Sequence, residues 1–112
     1  MDTPRSNSRH AEEMRLRLKA FAVRIIRLVE TLPRSLAGQT PGRQPLRSAT
    51  SEAANYRAAC RARSRAGFVA KMSIVVEEAD ETVFWLELLA EAGLIERQRI
   101  QNCSTKPGNS SS

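Results

Sequence analysis

Residues 46–65 read LRSATSEAANYRAACRARSR. Wound as a helix at about 100° per residue, this stretch separates into three stripes. Leu46, Ala49, Ala53, Tyr56 and Cys60 recur at steps of three and four and form an apolar face whose small side chains let a neighbouring helix come close. Arg43, Arg47, Arg57, Arg61 and Arg65 fall on a second face, roughly a third of a turn away. Ser48, Ser51 and Asn55 lie on a third. One rod that draws neighbours to one side and turns guanidinium groups outward on another is the element around which the rest of the chain is read.

The flanking segments repeat the helical period. Upstream, Leu18, Phe21, Ile25, Leu28 and Leu32 make a stripe widened by Ala22, Ile26 and Val29, which predicts a helix over about 11–32, stopped by Pro33. The connection PRSLAGQTPG (33–42) is rich in turn formers. The second helix is expected at about 44–63, with Pro45 in its first turn, where a missing N–H costs little. Ser64 then suits an N-cap for a third helix over about 65–92. Its apolar positions Phe68, Met72, Val75, Ala79, Thr82, Leu86 and Leu89 alternate steps of four and three, broadened by Ile74 and Trp85, and Gly93 stands at the C′ position. A short fourth helix fits at about 95–100. Residues 1–10 and 101–112 read as disordered tails around one helical domain, 11–100. No strand pattern occurs, so the fold class is all-α, an up-down bundle whose fourth helix is truncated or degenerate.

Charge is unevenly spread. The formal net charge is +6, made of +10 over residues 1–76 and −4 over residues 77–112. Such a chain either binds a polyanion with its front part or pairs front against back with a copy of itself. Arginine outnumbers lysine, which suits phosphate forks and buried ion pairs and is equally what a GC-rich genome produces. Aromatic residues are too few to serve as stacking platforms, so nucleic-acid contact would be to phosphates, salt-sensitive and poor in sequence preference. Cys60 and Cys103 have no metal-like spacing, the N-terminus lacks the apolar core of a signal peptide, and no apolar run is long enough to span a bilayer. The expectation is a reduced, cytoplasmic protein with no membrane partner.

The pieces FAVRIIRLVETLP (21–33), Gly42-Arg43-Gln44 and LRSATSEAANYRAACRARSRAGFVAKMSIVVEEADETVFWLELLAEAGLI (46–95) resemble the bacterial four-helix bundle proteins named for the intervening sequences of 23S ribosomal RNA. The string built on RSxxSxxANYRAACRARS carries most of the resemblance. It implies an up-down four-helix bundle and assembly into a ring, typically a homo-pentamer. A protein similar in fold, the accessory protein of diversity-generating retroelements, forms a basic barrel that binds a reverse transcriptase and nucleic acid. The resemblance therefore implies itself, RNA or DNA, and a reverse transcriptase as partners, and no enzymatic activity. Two departures stand out: Pro45 replaces the usual aliphatic residue, and the amphipathic segment of the family's fourth helix fades after Ile100.

Two function classes follow. In the first, a non-enzymatic, self-assembling bundle presents Arg43, Arg47, Arg57, Arg61 and Arg65 to phosphates, with Lys19, Arg24 and Arg27 as additions. In the second, a protein–protein adaptor docks a reverse transcriptase and uses its charge for partner choice. The arginine row also fits a solvated face, or pairing with the acidic third helix. Glu77, Glu78, Asp80 and Glu81 form the dense carboxylate cluster, but the sole histidine, His10, lies in the tail, so ion pairing of Glu78 with the second helix outweighs a metal site. Ser51 and Asn55, spaced i, i+4, read as structural interhelical hydrogen bonds. Neither Ser51 nor Cys60 has a histidine to serve as base, and no phosphate-cradling loop or cofactor motif occurs. Of the adjacent rings Phe84 and Trp85, one is expected in the core and the other at a subunit contact.

Overall fold

Between Arg5 and Glu30 neither glycine nor proline interrupts the chain, and in the computed structural model, which describes residues 5–96, this whole stretch is helix α1 (Arg5–Glu30). The helix begins six residues before the expected start at Ala11, so residues 5–10 of the anticipated tail are helical, while 1–4 lie outside the described residues. Serine, asparagine and arginine are tolerable helix formers, and nothing there breaks the hydrogen-bond ladder. The end tightens into i→i−3 bonds, Thr31 N–H to the Leu28 carbonyl and Leu32 N–H to that of Val29, both 3.0 Å.

Pro33 then caps a single short helix, α2 (Arg34–Ala37), inside what the sequence presents as a plain connection. The next helix, α3 (Thr40–Cys60), starts one turn earlier than expected and stops three residues sooner. Pro41 takes the first-turn position assigned to Pro45, which instead sits inside the helix with its ring fully buried. Four residues separate the two prolines, so the N–H that Pro45 lacks would have served the carbonyl of Pro41. Gly42 is required where α3 leaves α2: a Cβ there would collide with the backbone of Ala37.

Helix α4 (Arg65–Glu91) opens on the predicted cap, with the Ser64 hydroxyl accepting from the Gly67 N–H at 3.0 Å. Replacing Ser64 by alanine is expected to cost about 1 kcal/mol, read as a lower thermal midpoint, whereas Ser64→Asp should be close to neutral. The helix closes as the sequence suggests: Gly93 adopts φ 77°, and the Leu94 N–H reaches back to the Leu89 carbonyl at 2.9 Å. Of the short helix expected at 95–100, Ile95 and Glu96 are not helical and the remainder lies outside the described residues. The fold is all-α and bundle-like, with four helices and no strand among the described residues.

Helix α3 packs against α4 on one flank and α1 on the other. The short turn 61–64 makes α4 antiparallel to α3. The core gathers at one end, where Ile25, Leu28 and Val29 of α1 and Leu32 just beyond it meet Ala49 of α3 and Leu86 and Leu89 of α4, with Ile95 closing it. Being clamped from two sides moves the buried centre of α3. Ala49 is fully buried as expected, but Leu46, Ala53, Tyr56 and Cys60 are only half-buried, and Pro45, Ser48, Glu52 and Ala59 take the interior.

Candidate nucleic-acid interface

The five arginines of the expected row do not form one face. Helix α3 ends at Cys60, Arg61 caps it, and Arg65 opens the next helix. Arg47 is withdrawn from the row by carboxylates from α4: its Nη2 lies 3.3 Å from Glu78 and 2.9 Å from Glu81, and its Nη1 donates to Glu78 at 3.4 Å. The Glu78 hydrogen bond is the main influence raising the Arg47 pKa, opposed by burial and helped by Glu81. Between Arg47 and Arg57, a rise of about 15 Å, Thr50 and Ala54 occupy the same face.

What is left is a basic cluster at the α3–α4 turn. Arg57, Arg61, Arg63 and Arg65 are all exposed, and none has a carboxylate partner among the described residues. Arg43, near the other end of α3, is exposed and has no carboxylate partner among the described residues. The N-terminus of α4 adds its positive partial charge beside the cluster, although Ser64 already occupies one of its N–H groups. Arg63 was not singled out by the helical period, because within the expected 44–63 helix it falls on another face from the row; α3 ends at Cys60, which places it in the turn. Lys19, Arg24 and Arg27 are exposed on α1.

The polar residues sort differently from the stripe reading. Asn55 donates to the Ser51 carbonyl at 2.8 Å and to the Ser51 hydroxyl at 3.1 Å, both within α3, so this pair does not bridge helices. Ser48 does. Its hydroxyl lies 2.7 Å from that of Thr82. Each hydroxyl also reaches a backbone carbonyl of its own helix, Pro45 for Ser48 at 3.3 Å and Glu78 for Thr82 at 2.8 Å, so either can be the donor between them. Both are buried, and with Arg47 clamping Glu78 they form a polar seam between α3 and α4. Glu78 thus pairs with Arg47 through its carboxylate and accepts from Thr82 through its carbonyl.

Glu52 escaped notice. It is the only acid in α3, lies three residues after Ala49 and four before Tyr56, and is 7 % exposed. That spacing from buried positions was the available signal. Its Oε1 is buried without a hydrogen-bond partner, and burial first, then the charge of Glu78, pushes its carboxyl up to about 7. Tyr56 is also raised, by burial and by Cys60 one turn on. Trp85 turns its Nε1 inward without a partner, while Phe84 is exposed and meets it edge-on at 5.2 Å. No group of three or more His, Cys, Asp or Glu among the described residues could hold a metal ion.

A helical chain with this arginine-flanked turn and this α3–α4 seam can be compared with known proteins. The family model for 23S rRNA-intervening sequence proteins matches residues 13–109. The chain belongs to that family. A crystal structure of a protein with unknown function, from the S23 ribosomal protein family of Bacteroides thetaiotaomicron, is 39 % identical, covers 80 % of this chain and 82 % of that one, and has a TM-score of 0.73. No curated protein matches the chain. Membership rests on the sequence and the helical fold together, and neither description names a reaction or a ligand. Among the described residues no helix is long and apolar enough to cross a membrane.

Proposed function

We propose that this member of the 23S rRNA-intervening sequence family is a non-enzymatic, cytoplasmic bundle that assembles with copies of itself and binds RNA or DNA through phosphate contacts. The observation that carries the reading is the unpaired arginine cluster of Arg57, Arg61, Arg63 and Arg65 at the α3–α4 turn, with Arg43 as an outlying contact. Guanidinium groups fork onto phosphate oxygens, and several on one small protein give affinity through counterion release without base readout. Assembly multiplies such turns on one particle and raises avidity without any new contact. Arg47 has no part in it, because Glu78 and Glu81 already hold its guanidinium.

The test is electrophoretic retardation of RNA and DNA duplexes and single strands, repeated over a salt series. The wild-type protein is expected to retard them at about 50 mM salt and to release them steeply as salt rises. R57E/R61E should weaken binding for every sequence alike and flatten the log–log salt slope by about 2 or more, whereas Arg47→Ala should leave the slope where it was. No retardation by the wild type at low salt ends this reading.

A further inference from the structure

Helix α3 turns one side to α4, and its arginines other than Arg47 lie on the opposite side. Ser48 marks the α4 side, because its hydroxyl meets that of Thr82. Arg57, nine residues on, lies about half a turn round the helix from Ser48. Arg43 and Arg61 fall about 40° from Arg57, on the same flank. Along α3 alone this flank has a gap. Arg43 and Arg57 are about 21 Å apart in rise. Thr50 and Ala54, exposed between them, carry no charge.

Helix α1 brings charge to that gap. It runs antiparallel to α3: its Ile25 and Leu28 share the core with Ala49, while Arg15, further back on α1, lies near Tyr56, further on in α3. The nearness of Arg15 is felt by the Tyr56 phenol, whose pKa burial and Cys60 raise and the Arg15 charge pulls down. Lys19 stands one turn from Arg15 on the same flank of α1, and it is exposed. With Arg15 beside Tyr56, the antiparallel register sets Lys19 level with about residue 52, between Arg57 and Arg43. Arg17 lies about 160° round α1 from both, on the other flank. Glu12, seven residues before Lys19, shares the Lys19 flank and is exposed. Helix α4 offers the reverse charge: from Met72 to Glu96 the chain has seven acids and no lysine or arginine.

We infer that a bound nucleic-acid backbone lies along the α1–α3 seam on the side away from α4, held by Arg57 and Arg61 at one end, by Lys19 of α1 in the middle and by Arg43 at the other end. The inference rests on the nucleic-acid reading proposed above and gives its phosphate contacts a course. Lys19 supplies the cation that α3 lacks between Arg43 and Arg57, so the row broken on one helix is completed by its neighbour. Arg15 adds positive potential from its half-buried place beside Tyr56. The acids of α4 repel a polyanion from the opposite side of the molecule, which fixes the flank as well as the end at which it binds. Arg17, although exposed and equally basic, has no part in the track.

Lys19→Glu and Arg17→Glu test the course in the full chain. Both side chains are exposed on α1, both changes remove a cation and add an acid, and the two positions lie on opposite flanks. In retardation of an RNA or DNA duplex over a salt series, K19E should weaken binding and flatten the log–log salt slope by about 1, while R17E keeps the wild-type slope. Glu12→Gln removes an acid beside the track and should tighten binding about two- to fivefold. Circular dichroism checks that helix content is kept; Lys19→Gln and Arg17→Gln are read in the same way should either reversal lose it. Equal effects at positions 19 and 17, or an E12Q protein that binds no tighter, overturn this course and leave the nucleic-acid reading standing on the arginine turn. A wild type that retards nothing at about 50 mM salt removes the reading and the course together.

Discussion

Leu86→Ala is expected to destabilise the protein by roughly 2–5 kcal/mol, enough to lower the thermal midpoint by some 10–25 °C in a chain of this size. Leu86 is completely buried, and it belongs to a core built of eight side chains gathered at one end of the helices. No fourth long helix among the described residues backs that cluster, so little surrounding structure can relax into the space a truncation leaves. Leu88, two residues on, is 45 % exposed on the other side of the same helix. Leu88→Ala has the same chemistry without the cavity and should cost under about 1 kcal/mol. Thermal or urea unfolding of the two variants decides the matter. Equal losses would mean that the tight packing around Leu86 contributes nothing beyond removing the side chain from water, and that the core is not where the burial places it.

The long helices were legible because their apolar residues recur at three and four over stretches of 15 to 22 positions, and the ends of α4 because Ser64 and Gly93 have backbone roles that few residues can fill. Helix α2 was not legible: four residues cannot show a period, and Pro33 reads equally as a stop for one helix and a cap for the next. The seating of α3 was only half legible. A three–four stripe marks one neighbour, but this helix has two, and the wider buried arc admits Ser48 and Glu52. For the arginines the limit is different. Sequence spacing tells which guanidiniums share a helix face, but not which of them a carboxylate 31 or 34 residues away will reach. That pairing is a property of the α3–α4 register, and it separates Arg47 from Arg57 and Arg61 although all were read as one row. The exposed valines of α4, Val69, Val76 and Val83, were not read from the sequence, because they lie outside the Phe68–Leu89 stripe and its broadening residues Ile74 and Trp85.

Glu52→Gln is expected to stabilise the protein above neutral pH by up to about 3 kcal/mol and to change little at pH about 4. The sign follows from linkage. The folded-state carboxyl titrates near 7 instead of 4.5, raised by burial and by the charge of Glu78. Below pH about 4.5 it is protonated in folded and unfolded chains alike, and no penalty exists. As pH rises from there to about 7 the unfolded chain gives up its proton while the folded chain keeps it, so stability falls; above 7 the loss is complete. Glutamine has nearly the shape of the protonated acid and no charge to lose, so the difference between the two proteins should grow through that window and then level off. The unpartnered Oε1 limits the gain, because an amide placed there faces the same missing partner. Urea unfolding of both proteins at pH 4.5, 6 and 8 measures it. A constant difference across the series would mean that Glu52 keeps an ordinary carboxylate pKa and that water reaches it despite its place between Ala49 and Tyr56. The seam makes the effect specific: Arg47 is held by Glu78 and Glu81, and the other arginines of α3, Arg43 and Arg57, are exposed, whereas Glu52 is buried. Glu78→Gln should accordingly lower the Glu52 pKa by removing the nearest like charge, while costing the Arg47 ion pair, and the pH window for stability loss should move down with it.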